Sequence, residues 1–328
     1  MIPHNRVVTT PEDIEAVSRV VASGQLAQGP EVEALEAEMC EGTGRKYAVA
    51  VASGLAALRL TSLYWSAGTP AIPAYSCVAL MNAVRTWTEP FPGVKIVDAV
   101  PGSWTMAADM PAGFLAVAVN TFGVLADVPA LHEAGAVVIE DCTHGFGGHE
   151  SEAEVISFYA TKLIGGAEGG MVLTDNADLA NFVRDRRDYG DKPMGTRLND
   201  KMSDVHAALA RSKLARLPSL IEERADLAAL YLDELRGLEG KIVLPVTGDR
   251  TWYRFVIETP DAVRWCGRLR EMNVGADQPV WDWLPPETVA PVARRAYRTL
   301  VSLPLYPGLE KGAIRYVAKC VRELANEV

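Results

Sequence analysis

A lysine placed just past an apolar strand and just ahead of a dense run of glycines is the sharpest chemical feature of this chain. It is Lys162 in Ser157-Phe-Tyr-Ala-Thr-Lys162, followed by Leu-Ile-Gly165-Gly166-Ala-Glu-Gly169-Gly170. Burial disfavours the charged ammonium and pushes a lysine toward a nucleophilic amine. The glycines let the backbone turn tightly beside a ligand. The same pattern also fits a surface lysine that opens a hairpin loop.

Two further groups stand in compatible places. Glu140-Asp141-Cys142-Thr143-His144-Gly145 follows the apolar run 136–139. A carboxylate at a strand's end, Asp141, can hold a proton on a pyridine nitrogen, which makes the ring an electron sink. His144 can then approach the ring's phenolic oxygen. The alternative reading is a helix cap at Asp141 and a loop histidine. A metal site from Asp141, His144 and His149 matches no standard ligand spacing. Further upstream, the strand of Val51-Ala52-Ser53-Gly54-Leu55-Ala56-Ala57-Leu58 ends at Ser53-Gly54, where a helix begins. Free N–H groups and the helix dipole make such a junction a phosphate site, though a serine-capped helix needs no ligand. Ser157 offers a second hydroxyl.

The elements that must position these groups follow from hydrophobic patterning. Strands are predicted at 47–52, 70–72, 94–97, 115–119, 136–139, 155–159 and 171–174. They alternate with helical stretches, which implies an α/β fold with a seven-stranded, mostly parallel sheet sandwiched by helices. Functional groups in such sheets gather at the carboxyl ends of the strands. Beyond residue 175 the pattern gives a helix at 177–189 and a long one at 203–235 with Pro218 as a possible interruption. Strand, helix and helix follow at 253–257, 262–272 and 312–326. We therefore expect a large domain over 1–215, including an N-terminal helix at 11–23, and a smaller C-terminal α+β domain over 216–328.

Bulk properties narrow the function. The 328 residues are 49% hydrophobic and 23% charged, with a net charge of −10. That balance argues against a nucleic-acid surface. No apolar run reaches membrane-spanning length. Residues 1–24 carry Glu12, Asp13 and Glu15 and lack the apolar core of a secretion signal. The five cysteines are scattered, with no CxxC pair, so a reduced, cytoplasmic chain without a zinc site is expected.

The order phosphate cradle, acidic residue, lysine is that of fold-type I pyridoxal-phosphate (PLP) enzymes. In detail the chain resembles the DegT/DnrJ/StrS aminotransferases that act on sugars and aminocyclitols. The resemblance runs through 24–36 (GQLAQGPEVEALE), 46–58 (KYAVAVASGLAAL), 119–127 (VNTFGVLAD), 140–147 (EDCTHGFG), 157–170 (SFYATKLIGGAEGG), 198–208 (LNDKMSDVHAA) and 300–309 (LVSLPLYPGL). It implies that Lys162 forms the Schiff base with PLP and shuttles the substrate proton, and that Asp141 pairs with the pyridine nitrogen. His144 takes the place of a Gln or His near the ring oxygen. Ser53, Gly54 and Ser157 hold the phosphate, and Asn199 reaches it from a neighbouring subunit, which implies a homodimer with shared sites. The donor is L-glutamate or L-glutamine, and the acceptor is a keto-sugar, keto-cyclitol or related ketone.

Departures fall on the phosphate cradle, the ring face and the substrate loops. Leu55 stands where the family has Thr, Lys201 where it has Arg, and Cys77 where an aromatic side chain stacks on the pyridine, leaving Tyr75 to pack from the side. The tracts 98–115 and 190–199 are abbreviated. A dehydratase or lyase on the same fold, or a non-catalytic regulator, are the competing readings; retention of Lys162, Asp141 and Ser157 disfavours both. Trp281 and Trp283 around Asp282 are candidates for a substrate mouth or for packing. Arg184, Arg186 and Arg187 with Asp185 and Asp188 read as a solvated helix face. Tyr189 is a rim candidate, and Arg254 could meet a donor's carboxylate.

Overall fold

Runs of β-branched and small apolar residues set the frame. The computed structural model describes residues 1–85, 93–189, 197–248, 250–283 and 285–327. In chain order it contains α1 (Pro11–Ser23), α2 (Pro30–Thr43), β1 (Tyr47–Val51), α3 (Gly54–Tyr64), β2 (Thr69–Pro73), α4 (Val78–Arg85), β3 (Lys95–Val97), β4 (Phe114–Val119), α5 (Val128–Glu133), β5 (Val137–Asp141), β6 (Ala153–Ser157), β7 (Gly170–Thr174) and α6 (Ala177–Arg186). Then come α7 (Asp204–Leu214), α8 (Leu217–Glu234), β8 (Phe255–Glu258), α9 (Ala262–Glu271), α10 (Pro291–Thr299), β9 (Leu300–Leu303) and α11 (Lys311–Asn326).

The seven predicted strands form one sheet in the order β1-β7-β6-β5-β4-β2-β3. β7 pairs antiparallel with both β1 and β6, and the remaining pairings are parallel. Both faces are covered. Val49, Val51, Ile72, Val117, Ile139, Val155 and Val172 pack on one side with α3, and Ala50, Ile156, Met171 and Leu173 pack on the other with α2 and α7. Full burial of each aliphatic side chain stabilises the fold by roughly 1.5–3 kcal/mol, which is why these strands read as continuous apolar runs.

The register brings the site residues to one edge. Val119 pairs with Asp141, Asp141 with Val155, Ser157 with Gly170, and Gly170 with Val51. The ends of β1, β4, β5 and β6 and the start of β7 thus share an edge, and Ser53 adds a parallel bridge to Gly169 there.

The expected long helix over 203–235 is two helices. α7 ends at Leu214, and Pro218 lies in the first turn of α8, where its missing N–H costs nothing and its fixed φ suits a helix start. Two elements escaped the sequence reading, α10 and β9. β9 pairs antiparallel with β8 in a two-stranded sheet. Its Leu300-Val-Ser-Leu303 is too short to show a period. A second apolar core, with Tyr231, Phe255, Trp265, Val274, Val301 and Val321, joins α8, α9, α11 and this small sheet. Ile2 packs against it and bridges to Val274. Among the described residues, no helix is long and apolar enough to cross a membrane.

Candidate active site

The phosphate-type junction is built as the sequence suggests, and its capping alternative is also true. Ser53 is the N-cap of α3, its Oγ accepting from the Ala56 N–H at 3.1 Å. Helix geometry leaves the N–H groups of Gly54 and Leu55 without intrahelical acceptors, so they remain for an anion. Gly54 is required by close approach, since a Cβ there would lie 2.8 Å from the Ser157 Cβ. Ser157 therefore sits directly against the start of the helix, and its hydroxyl accepts from the Tyr159 N–H at 3.3 Å. Leu55 is 42% exposed and can offer only its backbone there.

Beyond Ser157 the chain folds back on itself to reach β7. Phe158 N–H donates to Gly169 C=O at 2.9 Å, Ala160 N–H to Ala167 C=O at 3.0 Å, and Lys162 N–H to Tyr159 C=O at 2.8 Å. Lys162 is half-buried at this turn, and its Nζ lies 5.1 Å from the ring centre of Tyr253. The two alternatives for Lys162 are thereby separated: its side chain faces the small sheet's leading segment rather than open surface.

Asp141 closes β5 and is 3% exposed. Its Oδ1 accepts from the Thr143 N–H at 3.0 Å. Burial pushes its carboxyl above the ordinary carboxylate range, against the opposing pull of Thr143's hydrogen bonds and the Lys162 ammonium. Burial, with the charges of Lys162 and Arg254, holds the His144 ring well below the ordinary imidazole range, so it is neutral. That ring stacks on Tyr253 at 4.2 Å and 13°. Its Nδ1 is buried without a hydrogen-bond partner, an arrangement that native interiors avoid unless a ligand supplies the partner.

Tyr253, read in the sequence only as the start of a strand, is the meeting point of the site. Burial alone would raise its phenol. The cations Lys162, Arg254 and Arg224 together with a Thr161 hydrogen bond outweigh that and leave it below the ordinary tyrosine value. Arg224 is buried and donates to the carbonyls of Tyr253 and Leu305 at 3.1 Å each, and burial lowers it to about 10. The contacts of Tyr253 with Lys162 and His144 join segments some 90 residues apart or more, and those of Arg224 with Tyr253 and Leu305 join segments 29 and 81 residues apart, which explains why no local pattern announced them.

The loops around His144 are pinned by a buried polar group that the sequence reading also passed over. Asn120 Nδ2 donates to Glu140 Oε1 and to Gly145 C=O, both at 2.8 Å, and its Oδ1 accepts from the Ala126 N–H at 2.8 Å. Gly123, at φ +94°, lies against the segment leading to Tyr253, and a Cβ there would fall inside the Thr251 carbonyl. Gly123→Ala is expected to lower stability by more than about 3 kcal/mol. Urea unfolding checks this, and a loss under about 1 kcal/mol would show that the two loops can part.

The remaining candidates divide. Cys77 has an exposed residue surface, while desolvation and the Asp141 charge push its thiol up and the Lys162 charge opposes them. Tyr75, by contrast, is 1% exposed, wedged edge-on against Tyr297 at 5.1 Å, in an apolar cluster with Trp104 and Phe122. Asn199 is exposed, and the adjacent Asp200 C=O accepts from the Ala52 N–H at 2.7 Å beside Ser53. The arginine run is not a solvated face throughout. Arg187 is 7% exposed and pairs with Glu36 at 2.7 Å. Trp281 is 76% exposed, whereas Trp283 packs on the core of the main sheet. Tyr189 is 61% exposed, with Lys201 Nζ 4.9 Å from its ring centre. Residues 190–196 of the abbreviated tract, and Leu284 beside Trp283, lie outside the described residues. His149 turns to Glu154 at 2.7 Å; among the described residues, no cluster of three or more His, Cys, Asp or Glu could hold a metal ion.

A primary amine, a buried carboxylate, an imidazole nitrogen lacking a partner and an anion-binding helix start therefore share one sheet edge. They match the carbonyl, ring nitrogen, ring oxygen and phosphate of PLP. The comparisons with known proteins agree. Residues 8–322 match the DegT/DnrJ/EryC1/StrS aminotransferase family. The chain is 32% identical to dTDP-3-amino-3,4,6-trideoxy-alpha-D-glucose transaminase of Streptomyces venezuelae, over 95% of this chain and 92% of that one. It superposes with a TM-score of 0.87 at 28% identity on S. venezuelae DesV, solved in complex with a ketimine intermediate, covering 99% of this chain and 100% of that one. The sugar aminotransferase CalS13 of Micromonospora echinospora shares the fold, with a TM-score of 0.87 at 20% identity, covering 98% of this chain and 100% of that one. The chain belongs to the DegT/DnrJ/EryC1/StrS aminotransferase family and is a PLP-dependent aminotransferase.

Proposed function

We propose that this enzyme moves an amino group from L-glutamate or L-glutamine to a keto-sugar or related cyclic ketone, with Lys162 as the residue that carries the cofactor and the proton. The observation that carries this reading is the Lys162 amine facing Tyr253 on the sheet edge that ends in Asp141 and Ser157. Its likeness to a named sugar transaminase supports the acceptor class. When bound, PLP supplies an electron sink for the carbon that loses its proton.

The chain's own residues do the rest. Lys162 Nζ takes the proton from the donor's α-carbon and returns it. Asp141 holds a proton on the pyridine nitrogen, and the pairing of opposite charges offsets the burial of its carboxylate. His144 meets the ring oxygen. Ser53, Gly54, Leu55 through its N–H, and Ser157 hold the phosphate, and Asn199 of a second copy completes the cradle. Cys77 would stand beside the ring, where it fills less space than an aromatic side chain would. We further infer a homodimer working in the cytoplasm, and a division near residue 215 into a cofactor-binding and a smaller domain.

The test is a two-step titration. L-Glutamate or L-glutamine added to the yellow holoenzyme should bleach its long-wavelength band, and a keto-sugar nucleotide should restore it. A band that persists with both donors would rule out transamination from them. Restoration by simple keto acids but by no cyclic ketone would overturn the acceptor class.

A further inference from the structure

We propose that Arg254 anchors the carboxylate adjacent to the reacting carbon of the amino-group donor, so that this side chain restricts the donor to amino acids. The inference rests on the function proposed above and adds a binding role to a residue outside the cofactor set.

Arg254 is the last residue before β8 and is half-buried. Its guanidinium carbon lies 5.6 Å from the Tyr253 ring centre, and the Lys162 Nζ lies 5.1 Å from the same point. One small substrate can therefore touch both cations. The charge of Arg254 also acts on His144 and Tyr253, in keeping with its position against the same ring.

What singles it out is that it has no anion of its own. Other half-buried or buried arginines of the chain are satisfied. Arg45 pairs with Glu154 at 2.7 Å, Arg187 with Glu36 at 2.7 Å and Arg211 with Glu31 at 2.6 Å. Arg224 donates to two backbone carbonyls, and Arg250 donates to the Phe122 carbonyl at 2.7 Å. Among the described residues, Arg254 has neither a carboxylate within ion-pair distance nor a hydrogen-bond acceptor. None of its nitrogens is among the buried atoms that lack a partner, so the guanidinium opens to solvent and to a ligand. Its planar fork matches a carboxylate in two parallel hydrogen bonds. Lys162, Arg224 and Arg254 surround one aromatic ring, and the buried Asp141 carboxylate is assigned above to the cofactor. The field there favours an incoming anion.

A phosphate of a nucleotide-linked acceptor is the other source of such an anion. The donor's carboxylate is favoured because Arg254 and Lys162 share a ring, whereas a nucleotide diphosphate lies away from the carbon being aminated.

The test compares wild-type holoenzyme with Arg254→Gln and Arg254→Lys. In Arg254→Gln the KM for L-glutamate should rise about 10- to 100-fold, the loss expected for a charge-assisted hydrogen-bonded pair, with the KM for the acceptor unchanged. Calorimetric binding of glutarate, an unreactive dicarboxylate, should be lost, while PLP uptake and the unfolding temperature stay near wild type. Arg254→Lys should recover part of the glutarate binding, and an amine donor without a carboxylate should be used equally by all three proteins. A raised acceptor KM with an unchanged donor KM would overturn the proposal in favour of phosphate recognition. Equal loss of PLP uptake and folding in both variants would reduce Arg254 to packing on Tyr253. A wild-type enzyme that transaminates with no amino acid would instead defeat the underlying function.

Discussion

Lys162→Ala is expected to lower the rate of transamination by at least about 10³-fold, the combined loss of a nucleophile and a general base, while the protein stays folded. The side chain makes no ion pair among the described residues, and its terminal contact is the face of Tyr253. The turn that carries it is held by main-chain hydrogen bonds from Phe158, Ala160 and Lys162 itself, none of which needs the amine. Stability should therefore change by less than about 1 kcal/mol. Single-turnover kinetics with L-glutamate and thermal unfolding separate the two effects. A variant that keeps more than a tenth of the rate would mean that another base moves the proton.

Asp141→Asn should cost about 10²- to 10³-fold in kcat, the scale seen when one preorganised electrostatic partner is removed. Asparagine keeps the shape and the Thr143 contact but cannot stabilise a proton on the ring nitrogen. Its effect on stability should have the opposite sign. The Asp141 carboxyl is raised by burial, so the folded, cofactor-free protein resists its ionisation. That penalty is absent below the ordinary carboxylate pKa and grows as the pH rises through it. At neutral pH the cofactor-free Asn variant should melt at or above the wild-type temperature, and the gap should close in acid. Wild-type affinity for PLP should weaken as Asp141 takes up its proton. A variant that melts well below wild type at neutral pH would show that the carboxylate is structural.

Legibility in the sequence followed the range of the contacts. Lys162, Ser157, Asp141 and Ser53-Gly54 each lie at a strand end, and strand ends are marked locally by an apolar run giving way to polar or glycine residues. The sheet then collected them without further information, because parallel strands place their carboxyl ends on one edge. Tyr253 and Arg224 carry no such mark, and Asn120, which does follow the apolar run of β4, shows nothing locally of the partners it will meet. Tyr253 reaches His144 and Lys162 across two cores, and Asn120 bonds to a loop 25 residues away. Arg187 misled for a related reason: a run of alternating charges looks solvated, yet one member turns inward to Glu36 and the Ala50 carbonyl. Tyr75 misled through proximity in sequence: it lies two residues before Cys77, yet it packs in the apolar cluster around Tyr297. The split between α7 and α8 was legible at Pro218, whereas β9 was not, being four residues whose only reason to be a strand is β8 beside them.

The central claim, that Lys162 holds the cofactor covalently, is tested most directly by borohydride reduction of the holoenzyme followed by proteolysis and mass mapping. The account predicts one pyridoxyl group per chain, on the peptide carrying Lys162, and none in Lys162→Ala. A label on any other lysine, or a yellow protein that takes up no label at all, would contradict it.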